Sequence, residues 1–175
     1  YHKKYYHPSN SFIYFYGDDD PEKRLSFMDE WLSPFEAASI DSLPAIQQTF
    51  PEPLLIKRNF QANSKEAAKA YTAVNWMLYE HGDMLLSMQA LVLFHILTGT
   101  PASPLRKALI ESGLGEDIAG FGFYEEMRQT AFSIGLKGVE PHNLAKVEEL
   151  IFSTLERLAC DGIDPDTIAA SLNTI

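Results

Sequence analysis

The sequence is poor in cysteine and in basic residues. Its single cysteine, Cys160, cannot form an internal disulfide, which excludes the class of disulfide-stabilised scaffolds. Fourteen Lys and Arg stand against 24 Asp and Glu, a formal net charge of −10 at pH 7. Because a nucleic-acid-binding surface needs clustered positive charge, we expect no nucleic-acid partner. The acidity is compatible with attraction of basic peptides, and it is also a common source of solubility.

Long hydrophobic runs are also missing. No run reaches the ~18 apolar residues of a membrane-spanning helix. The longest apolar stretch, residues 84–97, is interrupted by Ser87, Gln89 and His95, so we expect no membrane partner. No signal or transit peptide is recognisable. The chain begins at Tyr1 without Met, and we expect it to be a piece of a longer polypeptide.

The motifs of zinc peptidases are absent. H-x-x-E-H and H-E-x-x-H place two histidines and a general base around one zinc ion, and the sequence contains neither. The five histidines of the chain are His2, His7, His81, His95 and His142. The surroundings of Cys160 contain no motif that would support a nucleophile. We therefore predict no catalytic residue and no metal ligand in this chain, and no peptide hydrolysis by the chain alone.

The first part of the chain predicts one strand and one helix. The apolar and aromatic run at residues 12–16 is typical of a strand buried on both faces. Asp20 precedes Pro21 and predicts the N-cap of a helix that runs to about Phe35. Residues 36–53, which contain Pro44, Pro51 and Pro53 with Ser, Asp and Gln, follow as a predicted linker and the clearest domain boundary.

The remainder of the chain predicts the order strand, strand, helix, helix, strand, strand, helix, helix. Residues 54–60 form the first strand, and 71–79 alternate between two faces as a second strand, interpreted as central. The later strand pair is an antiparallel hairpin closed around residues 125–129. The helix capped by Asp83 is apolar almost all round and is expected to be buried on most sides. The predicted fold class is α+β, a mainly antiparallel sheet with helices packed on one face.

The run that begins at residue 95 has the residue pattern of a helix end, a turn and a second helix. Gly99 can take the left-handed conformation that closes a helix. Thr100 or Ser103 can serve as the next N-cap, with Pro101 or Pro104 as the first helical residue. On these residues alone, the run is interpreted as a well-capped structural corner.

Four stretches of the chain resemble those of a known family. They are G-T-P-A-S-P-L-R-K-A-L-I-E-S-G-L-G-E at 99–116, F-S-I-G-L-K-G-V at 132–139, Y-Y-H-P-S-N-S-F-I-Y-F-Y-G-D-D-D-P at 5–21 and V-N-W-M-L at 74–78. Together they resemble the presequence protease branch of the pitrilysin-like zinc peptidases, in the insulinase superfamily. The matching stretches are spread over the whole chain and follow the family's order.

This resemblance implies a domain assignment. Residues 1–35 would be the C-terminal strand and helix of the first, catalytic-type domain, and 36–53 the linker. Residues 54–175 would be most of the second, non-catalytic α/β-roll domain. Zinc would be bound upstream of Tyr1 in the longer polypeptide, and none by this chain.

The resemblance also implies a function for the longer protein. It would be a zinc metalloendopeptidase that degrades short unfolded peptides and presequences inside a closed chamber. This chain would form part of the chamber wall, and its partners would be the catalytic domain, the C-terminal half of the same polypeptide and the peptide substrate. An intracellular location is implied, in the bacterial cytoplasm, the mitochondrial matrix or the plastid stroma, with no choice among them.

By the same analogy, two places are candidate peptide contacts through strand addition. They are the turn residues Gly99, Thr100 and Ser103 and the edge-strand residues Ala119, Gly120 and Phe121. A purely structural role for both places is the alternative. Two other functions also stay open: an inert scaffold subunit of the same superfamily, and an unrelated stand-alone α+β binding module.

Overall fold

A computed structural model describes residues 1–61 and 69–175. The chain divides into two compact units, Tyr1–Ala45 and Ile46–Ile175, and each is described by itself. The boundary between the units lies within residues 36–53. The assignment of residues 1–35 and 54–175 to domains of a longer protein stays a prediction.

The first unit contains two helices, α1 (His2–Tyr5) and α2 (Pro21–Leu32), with a 3-10 turn at Pro8–Asn10 between them. Asp20 caps α2 as predicted, because its carboxylate accepts a hydrogen bond of 3.0 Å from the Glu22 backbone N–H. The predicted strand at residues 12–16 is wrong. The stretch has no strand structure, and its Phe12 side chain is 94% exposed. A single strand is not stable without a ladder partner, and the described part of this unit contains no strand.

The second unit is organised around three strands. They are β1 (Ala70–Glu80), β2 (Asp117–Tyr124) and β3 (Gln129–Val139). Their order in the sheet is β1-β3-β2, with both pairings antiparallel. The predicted β2–β3 hairpin is confirmed. The interpretation of β1 as a central strand is wrong, because β3 lies between the other two. The predicted strand at residues 54–60 is also absent.

The two faces of the sheet differ, as the alternation in β1 predicted. Thr72, Val74 and Trp76 are partly buried on one face, whereas Tyr71 and Met77 are exposed on the other. Helices α3 (Met84–Phe94), α4 (Pro104–Glu111) and α5 (Leu144–Asp161) contact the sheet, and α6 (Pro165–Leu172) ends the chain. The architecture is therefore the predicted α+β class, an open antiparallel sheet with helices.

The core lies between the central strand and the helices. Its buried members are Leu97, Leu105, Leu109, Phe132, Ile134, Leu136, Val139, Val147 and Ile151. Four aromatic rings extend this core along the covered face. Phe94 of α3 stacks on Phe123 at 4.7 Å and on Phe132 at 4.3 Å, and Phe132 stacks on Trp76 at 5.5 Å between ring centroids. These contacts attach α3 directly to β2 and β3, and Phe132 links it to Trp76 of β1.

Helix α3 is less buried than its composition predicted. Ala90 is its one buried residue, and Met84, Leu85, Met88 and Leu93 are exposed. The expectation of burial on most sides is therefore wrong for this unit, because α3 contacts the sheet with one side and nothing in the described residues covers the other. A surface of this kind is typical of an interaction face.

One helical stretch among the described residues, Met84–Glu111, is long and apolar enough by length and composition to cross a membrane. The stretch bends, because Thr100 has an extended backbone between α3 and α4. Leu97, Leu105 and Leu109 of the same stretch belong to the core. Core helices of soluble proteins meet the same criterion, so this stretch is weak evidence for a membrane-spanning helix.

Candidate functional site

The first predicted contact, the turn at residues 99–103, is a tightly built corner. Helix α3 continues into a π-helical turn, His95–Gly99, before the backbone becomes extended at Thr100. Gly99 does not adopt a positive φ, so the expected left-handed cap is wrong. Glycine is required there for another reason. A Cβ on Gly99 would lie 2.7 Å from Cγ and 2.9 Å from Nε2 of the His95 ring.

Ser103 joins the two helices at this corner. Ser103 is the N-cap residue of α4, and Pro104 lies in the first turn. This is one of the two predicted alternatives for the N-cap. Its side chain is buried, 3% exposed. The Ser103 hydroxyl accepts a 3.0 Å hydrogen bond from the Thr100 backbone N–H and donates one of 3.2 Å to the His95 carbonyl oxygen. Because this hydroxyl is committed to internal bonds, the corner favours a structural role over peptide contact.

The second predicted contact, residues 119–121, lies on strand β2 at the edge of the sheet. Ala119 pairs with Gly135 and Gly122 with Ser133, so β2 has one extra residue between these pairs. This β-bulge leaves Phe121 57% exposed. In the described part of the chain, no strand pairs with the outer side of β2. Its backbone groups on that side are available to an extended peptide, in two short stretches separated by the bulge.

Gly120 makes the bulge possible. Its φ is +97°, in the left-handed region that favours glycine. A Cβ at this position would lie 2.6 Å from the Ser133 carbonyl oxygen, so the backbones of β2 and β3 approach closely here. The sequence prediction placed these residues on an edge strand but missed the bulge. The signal that could have shown it is the pair of glycines two residues apart, Gly120 and Gly122, inside a strand.

Charged side chains lie at both ends of β2. At its start, Lys137 Nζ and Asp117 Oδ2 form a cross-strand ion pair of 2.9 Å. The hydrogen bond from Lys137 lowers the pKa of Asp117, and the same bond raises the pKa of Lys137. Beyond its other end, the Tyr124 hydroxyl donates a 3.3 Å hydrogen bond to Glu126 Oε2. The edge is thus flanked by carboxylates.

Small residues occupy the middle of the uncovered face of the sheet. Register pairs Ala73 with Gly135 and Gly135 with Ala119, which places these three side by side across the strands. The next row is Asn75, Ser133 and Gly122. These rows carry no large side chain, and their central members Gly135 and Ser133 are buried, with Ser133 1% exposed.

The residues present do not fit a zinc site. Within residues 1–61 and 69–175, there is no group of three or more His, Cys, Asp or Glu side chains that could hold a metal ion. His7 Nδ1 accepts a hydrogen bond from the Ser9 N–H, and the His2 ring stacks on Tyr6. His95 packs against Gly99 instead. His2 and His7 line one surface pocket of the first unit, and no third potential metal ligand is among its lining residues.

Comparison with known proteins agrees with the sequence resemblance. The family described as the peptidase M16 inactive domain matches residues 1–175. The chain is 47% identical to presequence protease 1, chloroplastic/mitochondrial, of Arabidopsis thaliana, over 100% of this chain and 17% of that protein. It is 35% identical to protein HypA of Clostridium perfringens, over 100% of this chain and 18% of that protein. Mouse mitochondrial presequence protease is 32% identical, again over the whole chain and 17% of the relative.

The chain thus spans less than a fifth of the length of these relatives. In each of them, the matching region is part of a much larger polypeptide. The match covers the complete chain, including the edge strand and the corner described above. This chain belongs to the family of peptidase M16 inactive domains.

Proposed function

We propose that this chain is the non-catalytic portion of a zinc metalloendopeptidase that degrades short unfolded peptides and presequences inside a closed chamber. The observation that carries this proposal is the family match over residues 1–175 to an inactive peptidase domain. The chain's own histidines support it, since they match no zinc-peptidase motif. Zinc and the general base would come from the rest of the polypeptide.

The shape of the second unit suits a chamber wall. Helices cover one face of its sheet, and the other face carries rows of small residues such as Ala73, Gly135 and Ala119. Because the exposed Ala73 and the partly exposed Ala119 are small, an extended peptide can lie beside them without a fixed side-chain sequence. That property suits an enzyme that degrades many different unfolded peptides.

Within this wall, we propose the outer edge of β2 as the peptide contact. Exposed Phe121 offers an apolar surface, and the free backbone groups on either side of the bulge can pair with an extended chain. Ala119 and Gly120 belong to the same edge. The corner residues Gly99, Thr100 and Ser103 support the fold instead, because the Ser103 hydroxyl is bonded internally.

The relatives' names extend the proposal to partners and location. The catalytic domain and the C-terminal half of the same polypeptide are the proposed neighbours of this chain. The plant relative is named chloroplastic/mitochondrial and the mouse relative mitochondrial, whereas the Clostridium relative is bacterial. An intracellular site, either organellar or in the bacterial cytoplasm, is therefore proposed.

A photocrosslinking experiment tests the contact. A longer polypeptide that contains this chain is incubated with an unfolded peptide carrying a photoreactive group, and the crosslinked residues are identified by mass spectrometry. We expect crosslinks within Asp117–Tyr124. Crosslinks confined to the solvent side of α5, with none on β2, would contradict the proposed contact. Absence of an H-x-x-E-H motif from that polypeptide would instead support the inert scaffold alternative.

A further inference from the structure

Strand β2 carries an open position on its exposed edge. Gly120 is closed in by the Ser133 backbone, but Gly122, two residues later, has free space beside it. Apart from its chain neighbours, no atom of the described residues lies within 4 Å of the place that a Cβ on Gly122 would occupy. Gly122 therefore leaves room for a side chain that another strand supplies.

Two aromatic rings lie on either side of this position along the strand. The rings of Phe121 and Tyr124 contact each other edge-on, with 6.1 Å between centroids and an interplanar angle of 71°. Phe121 is largely exposed and Tyr124 is partly buried. The Tyr124 hydroxyl donates its 3.3 Å hydrogen bond to Glu126, so the polar atom of this ring already has a partner.

The register places the rings and the open position on one face of the sheet. Tyr124 pairs with Ala131, and Ala131 pairs with Met77, whose side chain is exposed on the uncovered face. Gly122 lies two residues before Tyr124 and shares that face, because side chains alternate along a strand. The Phe121 ring borders the same position through its contact with Tyr124. We call Phe121, Gly122 and Tyr124 the edge triplet.

An extended peptide on the outer side of β2 would bring one side chain to the edge triplet. Residues directly opposite each other in antiparallel strands have Cα atoms about 4.5–5.5 Å apart. The peptide side chain opposite Gly122 would therefore lie over the glycine and beside the two rings. A large aromatic side chain from a neighbouring strand covers the backbone that an edge glycine exposes, and aromatic pairs between strands are favourable.

The chemistry of the edge triplet favours an apolar side chain over a charged one. The accessible surface of its two side chains is mostly ring carbon, since the Tyr124 hydroxyl is bonded to Glu126. An acidic side chain would meet the Glu126 carboxylate and a chain whose net charge is −10. A basic side chain could stack on the rings, but such contacts are weak at exposed sites. An aromatic side chain removes apolar surface from water on both partners.

We propose that the edge triplet is a side-chain subsite that selects peptides with an aromatic or large aliphatic residue at the position opposite Gly122. This inference rests on the proposed peptide contact at the edge of β2 and adds a side-chain preference to it. Backbone pairing along a sheet edge gives affinity, whereas pockets for alternate side chains give specificity. The edge triplet would supply the specificity at this contact.

A series of guest peptides tests the preference. The host is an unfolded peptide of Ser, Thr and Gly with one guest residue, which is Phe, Leu, Ala, Arg or Asp. Affinity is measured by fluorescence anisotropy on a longer polypeptide that contains this chain, with Gln in place of the Glu of any H-x-x-E-H motif so that the peptide stays intact. We expect the Phe guest to bind at least about tenfold more tightly than the Ala guest, as for one buried aromatic anchor. The Leu guest should lie between them.

Variants of the edge triplet assign the preference to its rings. In Phe121→Ala, the ratio between Phe-guest and Ala-guest affinities should fall to about twofold or less, as a double-mutant cycle measures for two groups in contact. Tyr124→Phe keeps the ring and should keep the ratio, which separates loss of the ring from loss of the hydrogen bond to Glu126. Tyr71→Ala removes an exposed ring of β1 and is the matched control, with an unchanged ratio.

The outcomes separate this subsite from the proposed peptide contact. Guest peptides that crosslink to Asp117–Tyr124 but bind with equal affinity, or most tightly with Arg, would overturn the subsite and leave the edge contact standing. A Phe preference that survives Phe121→Ala but is lost in Tyr71→Ala would also overturn it. Peptides that bind without any crosslink to Asp117–Tyr124 would contradict the proposed contact itself.

Discussion

The ring of His95 packs so closely against Gly99 that a methyl group on this glycine would overlap it, 2.7 Å from the ring carbon Cγ. The two residues form the first and last positions of the π-helical turn that ends α3. The glycine is therefore required by the close approach of a side chain. The backbone conformation is not the reason for the glycine, because Gly99 does not have a positive φ.

Replacing Gly99 with Ala should destabilise the fold. We expect a loss of about 1–3 kcal/mol in the free energy of unfolding, the usual cost of overpacking, measured by urea denaturation. The control is the double variant Gly99→Ala with His95→Ala, in which the overlapping ring is removed. The added cost of Gly99→Ala should be much smaller in that background. The same cost in both backgrounds would show that the ring contact is not the cause.

Ser103→Ala should also destabilise the corner. The substitution leaves the Thr100 N–H and the His95 carbonyl without the hydroxyl that bonds both, and a lost buried hydrogen bond costs about 1–2 kcal/mol. Ser153 offers a matched control, since its exposed hydroxyl donates a single 3.2 Å bond to the Leu150 carbonyl in its own helix. Urea denaturation should separate the two variants. A Ser103→Ala protein as stable as Ser153→Ala would contradict this account of the corner.

The Asp117–Lys137 pair predicts a pH dependence at the start of β2. The pKa of Asp117 is lowered from 3.8, so its contribution to stability is present above that pH and is lost as the pH falls through the lowered value. The pKa of Lys137 is raised from 10.5, so its contribution is lost as the pH rises through the raised value. The ion pair should therefore stabilise the sheet at pH values between the lowered pKa of Asp117 and the raised pKa of Lys137. Both groups are solvent-exposed, which keeps the effect small.

NMR titration of the Asp117 carboxyl group checks this directly. In Lys137→Met, the pKa of Asp117 should rise toward its ordinary value, because the main cause of the lowering has been removed. Lys107→Met, on helix α4, is the control and should leave it unchanged. An Asp117 pKa that does not respond to Lys137→Met would contradict the assigned cause.

Phe121→Ala tests the edge of β2 without disturbing the core. The side chain is largely exposed, so the free energy of unfolding should change by less than about 0.5 kcal/mol, as for most surface substitutions. Affinity for an unfolded peptide, measured by fluorescence anisotropy on a longer polypeptide that contains this chain, should fall at least about fivefold, as for loss of one aromatic anchor. Leu172→Ala, an exposed apolar residue of α6, is the matched control. Equal affinities of the two variants would contradict the proposal that the edge of β2 contacts the peptide.

The features that sequence reasoning predicted correctly depend on neighbouring residues. Asp20 and Asp83 cap their helices because a carboxylate can reach the free N–H groups two or three residues ahead. The two faces of β1 follow from strict alternation along the strand. The β2–β3 hairpin joins strands that are adjacent in the chain. In each case, the partner lies close in sequence.

The wrong predictions share a dependence on distant partners. Residues 12–16 and 54–60 have strand-like composition, yet strand structure also needs a ladder partner, which composition does not specify. α3 was expected to be buried because of its apolar residues, but burial depends on what packs against each side. At the candidate site, the sequence indicated the edge of β2. It could not show the bulge at Gly120 or the internal bonding of Ser103, because both arise from contacts between separate elements.

The most direct test of the account is hydrolysis of an unfolded presequence-like peptide by the purified 175-residue chain in the presence of zinc. The account predicts no cleavage by this chain and chelator-sensitive cleavage by a longer polypeptide that contains it together with an H-x-x-E-H motif. Chelator-sensitive cleavage by the 175-residue chain alone would contradict the central claim that this domain is non-catalytic.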